Sequence, residues 1–428
     1  MRYLKQLWYE LRQQPLVTWV TVSGTALSIF LIMSMYMIKS IDTVEAEPEI
    51  YRSRTLIGNY AHIQIVGDPA SNSSGNISLS LAHKLYENLD GVDLYSYGSG
   101  YNMDYDVNIK DGISQTFELK EVDDNFWKIY SFHFLEGVPF TPAQVKAGEK
   151  RVIITDRVAF QLAGNESLLG KEIYINHVPY VVTGIIESAS PLLKESYSDL
   201  YIPFKENPQS VWQKYLGMAQ VTMLLKEGTK VEDIKKEVAR RYEVFNQRLR
   251  KEVGSELVYH NLPYTAKEMK YLRGSNNDPA DSSPKKDLII YGILLLVPAL
   301  NLSGMTRSRL RRRVSEIGVR RAYGATRGRI TMELLLENFC LTLAGGIIGL
   351  LLSFIFISCF SNLFVDYIGL FDTSQTKGYA TPSFSMFFNW GSFLIVLLFC
   401  FLLNILSTGI PSWLASRVNP AEAISTRR

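Results

Sequence analysis

The sequence predicts a membrane protein of four transmembrane α-helices, with a mixed α/β extracytoplasmic domain inserted between helices 1 and 2. Three observations carry that prediction: four apolar stretches long enough to span a bilayer, arginines crowded on one side of them, and a long polar segment after the first. A bilayer core of about 30 Å needs roughly 20 apolar residues as helix. Of the 428 residues 47% are hydrophobic and 20% charged, a mixture that suits membrane helices joined to a sizeable polar domain. The net charge of +3 is too small to argue for nucleic acid.

In chain order, residues 1–16 place Leu4, Leu7, Trp8 and Leu11 at helical spacing, with Lys5 and Arg12 on other faces. This reads as a cytoplasmic interfacial helix touching membrane lipids, or as a helix docked on neighbouring protein. The first span is expected at 17–39. Its apolar run is longer than the roughly 7–15 residues of a signal-peptide core and no small-residue cleavage site follows, so it reads as an uncleaved anchor. The extracytoplasmic domain then covers 40–287. Further spans fall at 288–306, 333–363 and 387–411. A cytoplasmic loop separates the second from the third at 307–332, an outer loop occupies 364–386, and a tail closes the chain at 412–428.

Charge sets the orientation. The segment between the second and third spans, RSRLRRRVSEIGVRRAYGATRGR, holds nine arginines and one acidic residue, Glu316. Short cytoplasmic loops collect Lys and Arg, so this loop and both termini are expected inside, and the 40–287 domain outside. Lys285 and Lys286 run mildly against the rule and are outnumbered.

The outer segment reads as α and β mixed. Strands are expected at 60–66, 151–154, 172–176 and 180–186, where β-branched and aromatic residues lie between turn residues. Helices are expected at 79–89 and 155–163. A long helix should cover 231–250, with Val231, Ile234, Val238, Phe245 and Leu249 as its apolar stripe. Two polar runs, DPASNSSGNIS from Asp68 and GSNNDPADSSP from Gly274, read as loops or stalk linkers.

Catalysis finds no support. Gly164 to Glu172, GNESLLGKE, imitates a phosphate loop, but its spacing is one residue too long and Glu172 stands where a hydroxyl should hold magnesium. His62, His83, His133, His177 and His260 are scattered singly. Cys340, Cys359 and Cys400 all lie in apolar stretches, which leaves no cysteine framework or metal site in the polar segment. No cofactor or metal is expected.

The arginine-rich loop is the sharpest feature. Val314, Ile317, Val319, Ala322 and Ala325 give it an apolar component, which suits a short helix along the cytoplasmic face closed by Gly324. Its arginines would set topology and bind anionic lipid, or dock a cytoplasmic partner. In the third span, Gly345 and Gly349 form a small-xxx-small pair for helix packing, within the subunit or across a dimer. Glu333 and Glu337 sit near the cytoplasmic end of that span, with Arg327 and Arg329 close enough to pair.

Glu316 to Ala325, EIGVRRAYGA, closely resembles the E-I-G-x-x-[RK]-A-x-G-A signature of MacB/FtsX-type ABC transporter permeases. The tail PSWLASRVNPAEAI from Pro411 is similar to that family's closing stretch, A-x-R-x-x-P-x-E-A after a proline. LAGNESLLGKEIYINHVPYVVTGII from Leu162 and VDDNFWKIYSFHFLEGVPFT from Val122 resemble its periplasmic core domain. The resemblance implies an FtsX-like permease domain over 288–424 and a permease that is not itself an enzyme. It further implies a dimer that binds a pair of ATPase subunits and passes their motion to the periplasmic side, a process called mechanotransmission. The family's coupling helix falls on 314–324, so Glu316, Ile317, Gly318, Val319, Arg320, Arg321 and Gly324 are the expected ATPase-contacting residues. With no nucleotide motif in the chain, the ATPase is expected as a separate subunit, and the location as the inner membrane. The function expected is export or extraction of a peptide, antibiotic or lipid, with a periplasmic or outer-membrane partner. The alternative is FtsX-like signalling to a periplasmic partner such as a cell-wall hydrolase, and a ligand sensor ranks behind both.

Overall fold

The structure, a computed structural model, describes residues 15–40, 45–110, 112–191, 193–205, 214–272, 289, 323–367 and 390–404. The chain divides into two compact units, one made of 1–40, 282–361 and 383–428, the other of 41–281 and 362–382.

The first unit is helical. Helix Pro15–Ser40 carries an apolar segment long enough to span, Thr18–Met37, and helix Arg327–Tyr367 carries another, Phe339–Ile357. A third apolar helix, Trp390–Asn404, falls within the expected fourth span. The second expected span, 288–306, lies outside the described residues apart from Ile289. Four spans therefore remain an expectation, with two long enough among the described residues. The third-span helix starts at Arg327 rather than 333 because Thr326 caps it, its Oγ1 accepting the amide of Arg329 at 3.4 Å. Each helix is apolar all round yet has one buried face. Ile29, Met33 and Met37 are buried on the first, whereas Trp19, Val20, Leu27 and Leu31 are exposed. Apolar side chains that face outward in this way suit lipid as solvent.

The second unit is α/β and has two lobes. In one, six strands close into a ring. Gln115–Val122 pairs with Met103–Asn108, then follow Glu172–Ile175, Val178–Ile186, Arg151–Thr155 and Leu200–Pro203, which returns parallel to Gln115–Val122. Inward-facing Val107, Phe117, Leu119, Val152, Ile154, Ile173, Ile175 and Val182 form its core. Helix Asp156–Ala163, capped by Thr155, lays Val158 and Ala159 against that core.

The sheet continues past the ring through one residue pair, Gly98 with Val122. Beyond it the strands run Val92–Ser99, Ala219–Leu225, Thr55–Gly58 and Tyr264–Thr265, all antiparallel. Helices Leu79–Tyr86 and Val231–Glu252 share the core of this second lobe. Ser78 caps the former at its start, and at its end Arg241 donates to the carbonyls of Leu85, Glu87 and Asn88. That guanidinium satisfies carbonyls the helix leaves open. The long helix buries Ile234, Val238 and Leu249 as expected, and also Tyr242 and Asn246. Asn246 earns its place by hydrogen-bonding both backbone groups of Leu257, each at 2.8 Å, like one more strand residue.

One expectation is overturned. The run from Asp68 is not a loop or linker: Asp68–Asn76 is a strand that pairs antiparallel with Tyr60–Ile65 in a three-stranded sheet. Its residues are almost all exposed, so polar side chains cost nothing there, and the apolar burial is supplied by Ala61 and Ile63 of its neighbour. Gly67, at φ +86°, makes the turn between them. The run from Gly274 lies outside the described residues.

Candidate functional site

The expected partner-contacting residues Glu316, Ile317, Gly318, Val319, Arg320 and Arg321 lie outside the described residues, which resume at Tyr323. Gly324 adopts the left-handed conformation, φ +89°, in which a glycine commonly ends a helix. Tyr323 beside it is 90% exposed, a large aromatic surface with nothing over it among the described residues. Thr326 then starts the Arg327–Tyr367 helix, and Arg329 pairs with Glu333 at 3.4 Å, one turn apart. The carboxylate near the end of this span thus has a cationic neighbour.

Within the helical unit, Gly345 and Gly349 face the Pro15–Ser40 helix. A Cβ on Gly345 would come 2.8 Å from the Cβ of Thr25 and 3.1 Å from the carbonyl oxygen of Val22. A Cβ on Gly349 would come 2.5 Å from the carbonyl oxygen of Ala26 and 3.1 Å from the Cβ of Ile29. Gly346 packs instead towards Leu397 of the Trp390–Asn404 helix, 3.0 Å from where its Cβ would stand. Glycines thus let one helix lie backbone to backbone on the Pro15–Ser40 helix and against the Leu397 side chain of the other, and close approach is how helices attract one another where lipid removes the hydrophobic drive. Ser28 and Ser353 return their hydroxyls to carbonyls of their own helices, Gly24 and Leu350.

In the outer unit the Gly164–Lys171 segment has no free cradle of amides. Gly170 donates to the carbonyl of Val182, Lys171 to that of Leu168, and the Lys171 ammonium pairs with Glu166 at 3.2 Å. The histidines are not all single, as the sequence suggested. His62 Nδ1 lies 2.9 Å from His260 Nε2 with the rings stacked, joining a strand to a segment 198 residues away. Among the described residues no group of three or more His, Cys, Asp or Glu is arranged to hold a metal ion.

Two buried polar clusters were not foreseen. In one, Glu49, 2% exposed, accepts hydrogen bonds from the amides of Glu195 and Ser196 and the Ser196 hydroxyl, and pairs with Arg52 at 3.0 Å. In the other, Arg157 pairs with buried Asp199, beside Glu118, which accepts from Asn102 at 2.9 Å. Burial pushes the Glu118 carboxyl up to about 7; Asp199 and Asp104 add to the rise, while Asn102 and Arg157 oppose it. These clusters join residues far apart in the chain, so no local motif announces them.

Comparison with known proteins identifies a family. The family model described as the MacB-like periplasmic core domain matches residues 18–241, and the one described as FtsX-like permease C-terminal matches 288–420. The uncharacterized ABC transporter permease YknZ of Bacillus subtilis is 25% identical over 305 residues, 71% of this chain and 68% of its own. The macrolide export ATP-binding/permease protein MacB of Pasteurella multocida is 24% identical over 306 residues, 71% of this chain but 42% of its own. Among solved structures, the periplasmic region of MacB from Actinobacillus actinomycetemcomitans aligns at a TM-score of 0.35 and 16% identity, covering 52% of this chain and 96% of that one. With one family model covering over half of the chain and a second covering most of the remainder, the chain belongs to the MacB/FtsX-type ABC transporter permeases.

Proposed function

We propose that this permease works by mechanotransmission, turning the closure of a separate ATPase subunit into movement of its outer unit, and so exports or extracts a substrate such as a peptide, antibiotic or lipid. It has four spans, both termini and the 307–332 loop inside, the 40–287 domain outside, and it acts as a dimer. Residues 314–324 form the helix that meets the ATPase, with Glu316, Arg320 and Arg321 as its main contacts.

The observation that carries the reading is the continuity between the arginine-rich segment and the Arg327–Tyr367 helix. At 1.5 Å per residue, its 41 residues make a rod of about 60 Å, longer than the roughly 30 Å membrane core. A push delivered beside Thr326 is carried along that rod, and through the glycine contacts to the helix that leads into the outer unit. No ionisable residue lies within Thr18–Met37 or Phe339–Ile357 apart from Tyr36 and Cys340, and neither span holds an acidic or basic side chain, which argues against an ion-coupled carrier. The size of the outer segment, with its two lobes, favours export over the signalling alternative.

The test replaces Glu316 and Arg320 by alanine in the complex purified with its ATPase. ATP hydrolysis should continue while export stops and the amount of assembled protein stays constant. Export at the unaltered level would refute the coupling assignment. A reporter fused after Gly112 should be active outside, and one at Ser315 should not. The reverse pattern would overturn the topology.

A further inference from the structure

The Glu49 cluster lies where the chain enters the outer unit. Helix Pro15–Ser40 ends shortly before it, and the Pro48 carbonyl already accepts the amide of Ser131 at 2.9 Å. The Glu49 carboxylate then reaches 146 and 147 residues along the chain to the Glu195 amide at 3.1 Å and to the Ser196 amide and hydroxyl, both at 2.9 Å. Arg52 holds its other oxygen.

From Ser196 the connections fan into both lobes. The Tyr201 hydroxyl donates to the Ser196 carbonyl at 2.8 Å and accepts the Ser198 amide at 2.9 Å, on a strand of the ring whose Tyr201 side packs against Phe126 and Trp127. Ser198 Oγ and the Asp199 amide donate to the carbonyl of Glu118. Glu195 accepts from Gln220, on a strand of the other lobe, at 3.2 Å. Ala266, on the stretch that heads back to the second expected span, lines the same pocket as Glu49, Arg52, Tyr130 and Glu195.

We propose that the Glu49–Ser196 cluster is a latch through which movement of the membrane helices is delivered to the outer unit. The inference rests on the mechanotransmission reading and adds to it the place where the motion enters. Glu49, Arg52, Glu195 and Ser196 are all less than 9% exposed, so a bare carboxylate there is costly to separate from its donors. Directional bonds of this kind have discrete made and broken states, unlike apolar packing. Pulling on the segment after Ser40 loads the bonds of Glu45 to Ser53 and of Pro48 to Ser131 together with Glu49, and of these Glu49 is the one that reaches the Glu195–Asp199 segment and so both lobes. Glu49 is thus a positioning residue, and a static brace is the competing description.

The two are separated by hydrogen–deuterium exchange on the full chain in lipid nanodiscs with the ATPase that co-purifies with it, with and without ATP and vanadate. In the unaltered complex the Glu195 and Ser196 amides should exchange at rates differing at least tenfold between the two nucleotide states. In Glu49→Gln, which keeps an acceptor but loses the charge, they should exchange fast in both states while ATP hydrolysis stays within twofold. Ser196→Ala removes one donor only and should give the same loss of contrast more weakly, which covers the case of a Glu49 variant that does not fold. A nucleotide-dependent difference that persists in both variants would make the cluster a static brace and overturn the latch. So would a difference in the unaltered complex seen at Tyr60–Ile65 but absent at 195–196. If no part of the outer unit responds to nucleotide in the unaltered complex, mechanotransmission fails first and the latch with it.

Discussion

Glycines bring backbones together in both units of this molecule, and the contacts differ in kind. In the helical unit Gly345 and Gly349 meet Thr25, Ala26 and Ile29 along a continuous face, with buried Thr342 and Ser353 on the same helix. In the outer unit Gly98 lies across from the carbonyl of Glu121, where a Cβ would stand 2.6 Å from the oxygen, at the single pair that joins the two lobes' strands. The outer unit has several buried apolar clusters to hold it together, so its glycine is a local fitting. Helices in lipid lack that drive, and close approach is itself the attraction. The same residue type therefore holds up more structure in one unit than in the other.

The largest expected effect comes from that contrast. Gly349→Leu should cost on the order of 3 kcal/mol, because the clash meets a carbonyl that cannot turn aside. Thermal unfolding of the full chain in detergent should show the Pro15–Ser40 and Arg327–Tyr367 helices losing their contact, with Gly349→Ala intermediate. Gly98→Val should cost less, about 1–2 kcal/mol, as the lobes part slightly at one strand pair. If Gly98→Val proves the more damaging, the continuous helix contact is not the main support of the helical unit.

A third change should stabilise. Glu118, with its carboxyl pushed up to about 7, favours its neutral form in the fold. A folded value above the ordinary one means that its contribution is complete at pH below about 4.5 and is lost as pH rises through about 7. Glu118→Gln keeps an acceptor for Asn102 and removes the poorly solvated charge. The variant should therefore gain about 1 kcal/mol over the unaltered chain at pH 8 and almost nothing at pH 4. Equal gains at both would show that the charge is not the cause.

How much of this was legible depended on how far apart the partners lie. The spans at Thr18–Met37 and Phe339–Ile357 are readable from hydropathy, and the strands Arg151–Thr155, Glu172–Ile175 and Val178–Ile186 from alternation between turns. The Gly345 and Gly349 spacing was visible, whereas the helix they meet was not, since both choices give the same pattern. Asp68–Asn76 escaped because its order comes from backbone pairing, which leaves no mark on exposed side chains. Tyr242 and Asn246 escaped because a polar atom removed them from an apolar stripe, although each lies on the buried face of its helix. Glu49 with Ser196, and His62 with His260, are joined only by the fold.

The histidine pair gives the smallest and most local prediction. Burial, then the neighbouring His260, holds His62 below the ordinary histidine value of 6.5. A lowered folded value means the unfolded chain takes up the proton first, so the pair's contribution is present above pH 6.5 and is lost as pH falls below it. His62 Nδ1 lies 2.9 Å from His260 Nε2, so a charge gained by His62 falls between the Tyr60–Ile65 strand and the segment that leads to Tyr264. His62→Asn should therefore flatten the fall in melting temperature between about pH 7.5 and 5, while the difference between Glu118→Gln and Glu118 chains over about pH 4.5 to 7 stays unchanged. An unaltered acid slope would mean that the two rings part freely and that the outer unit's response to acid arises elsewhere.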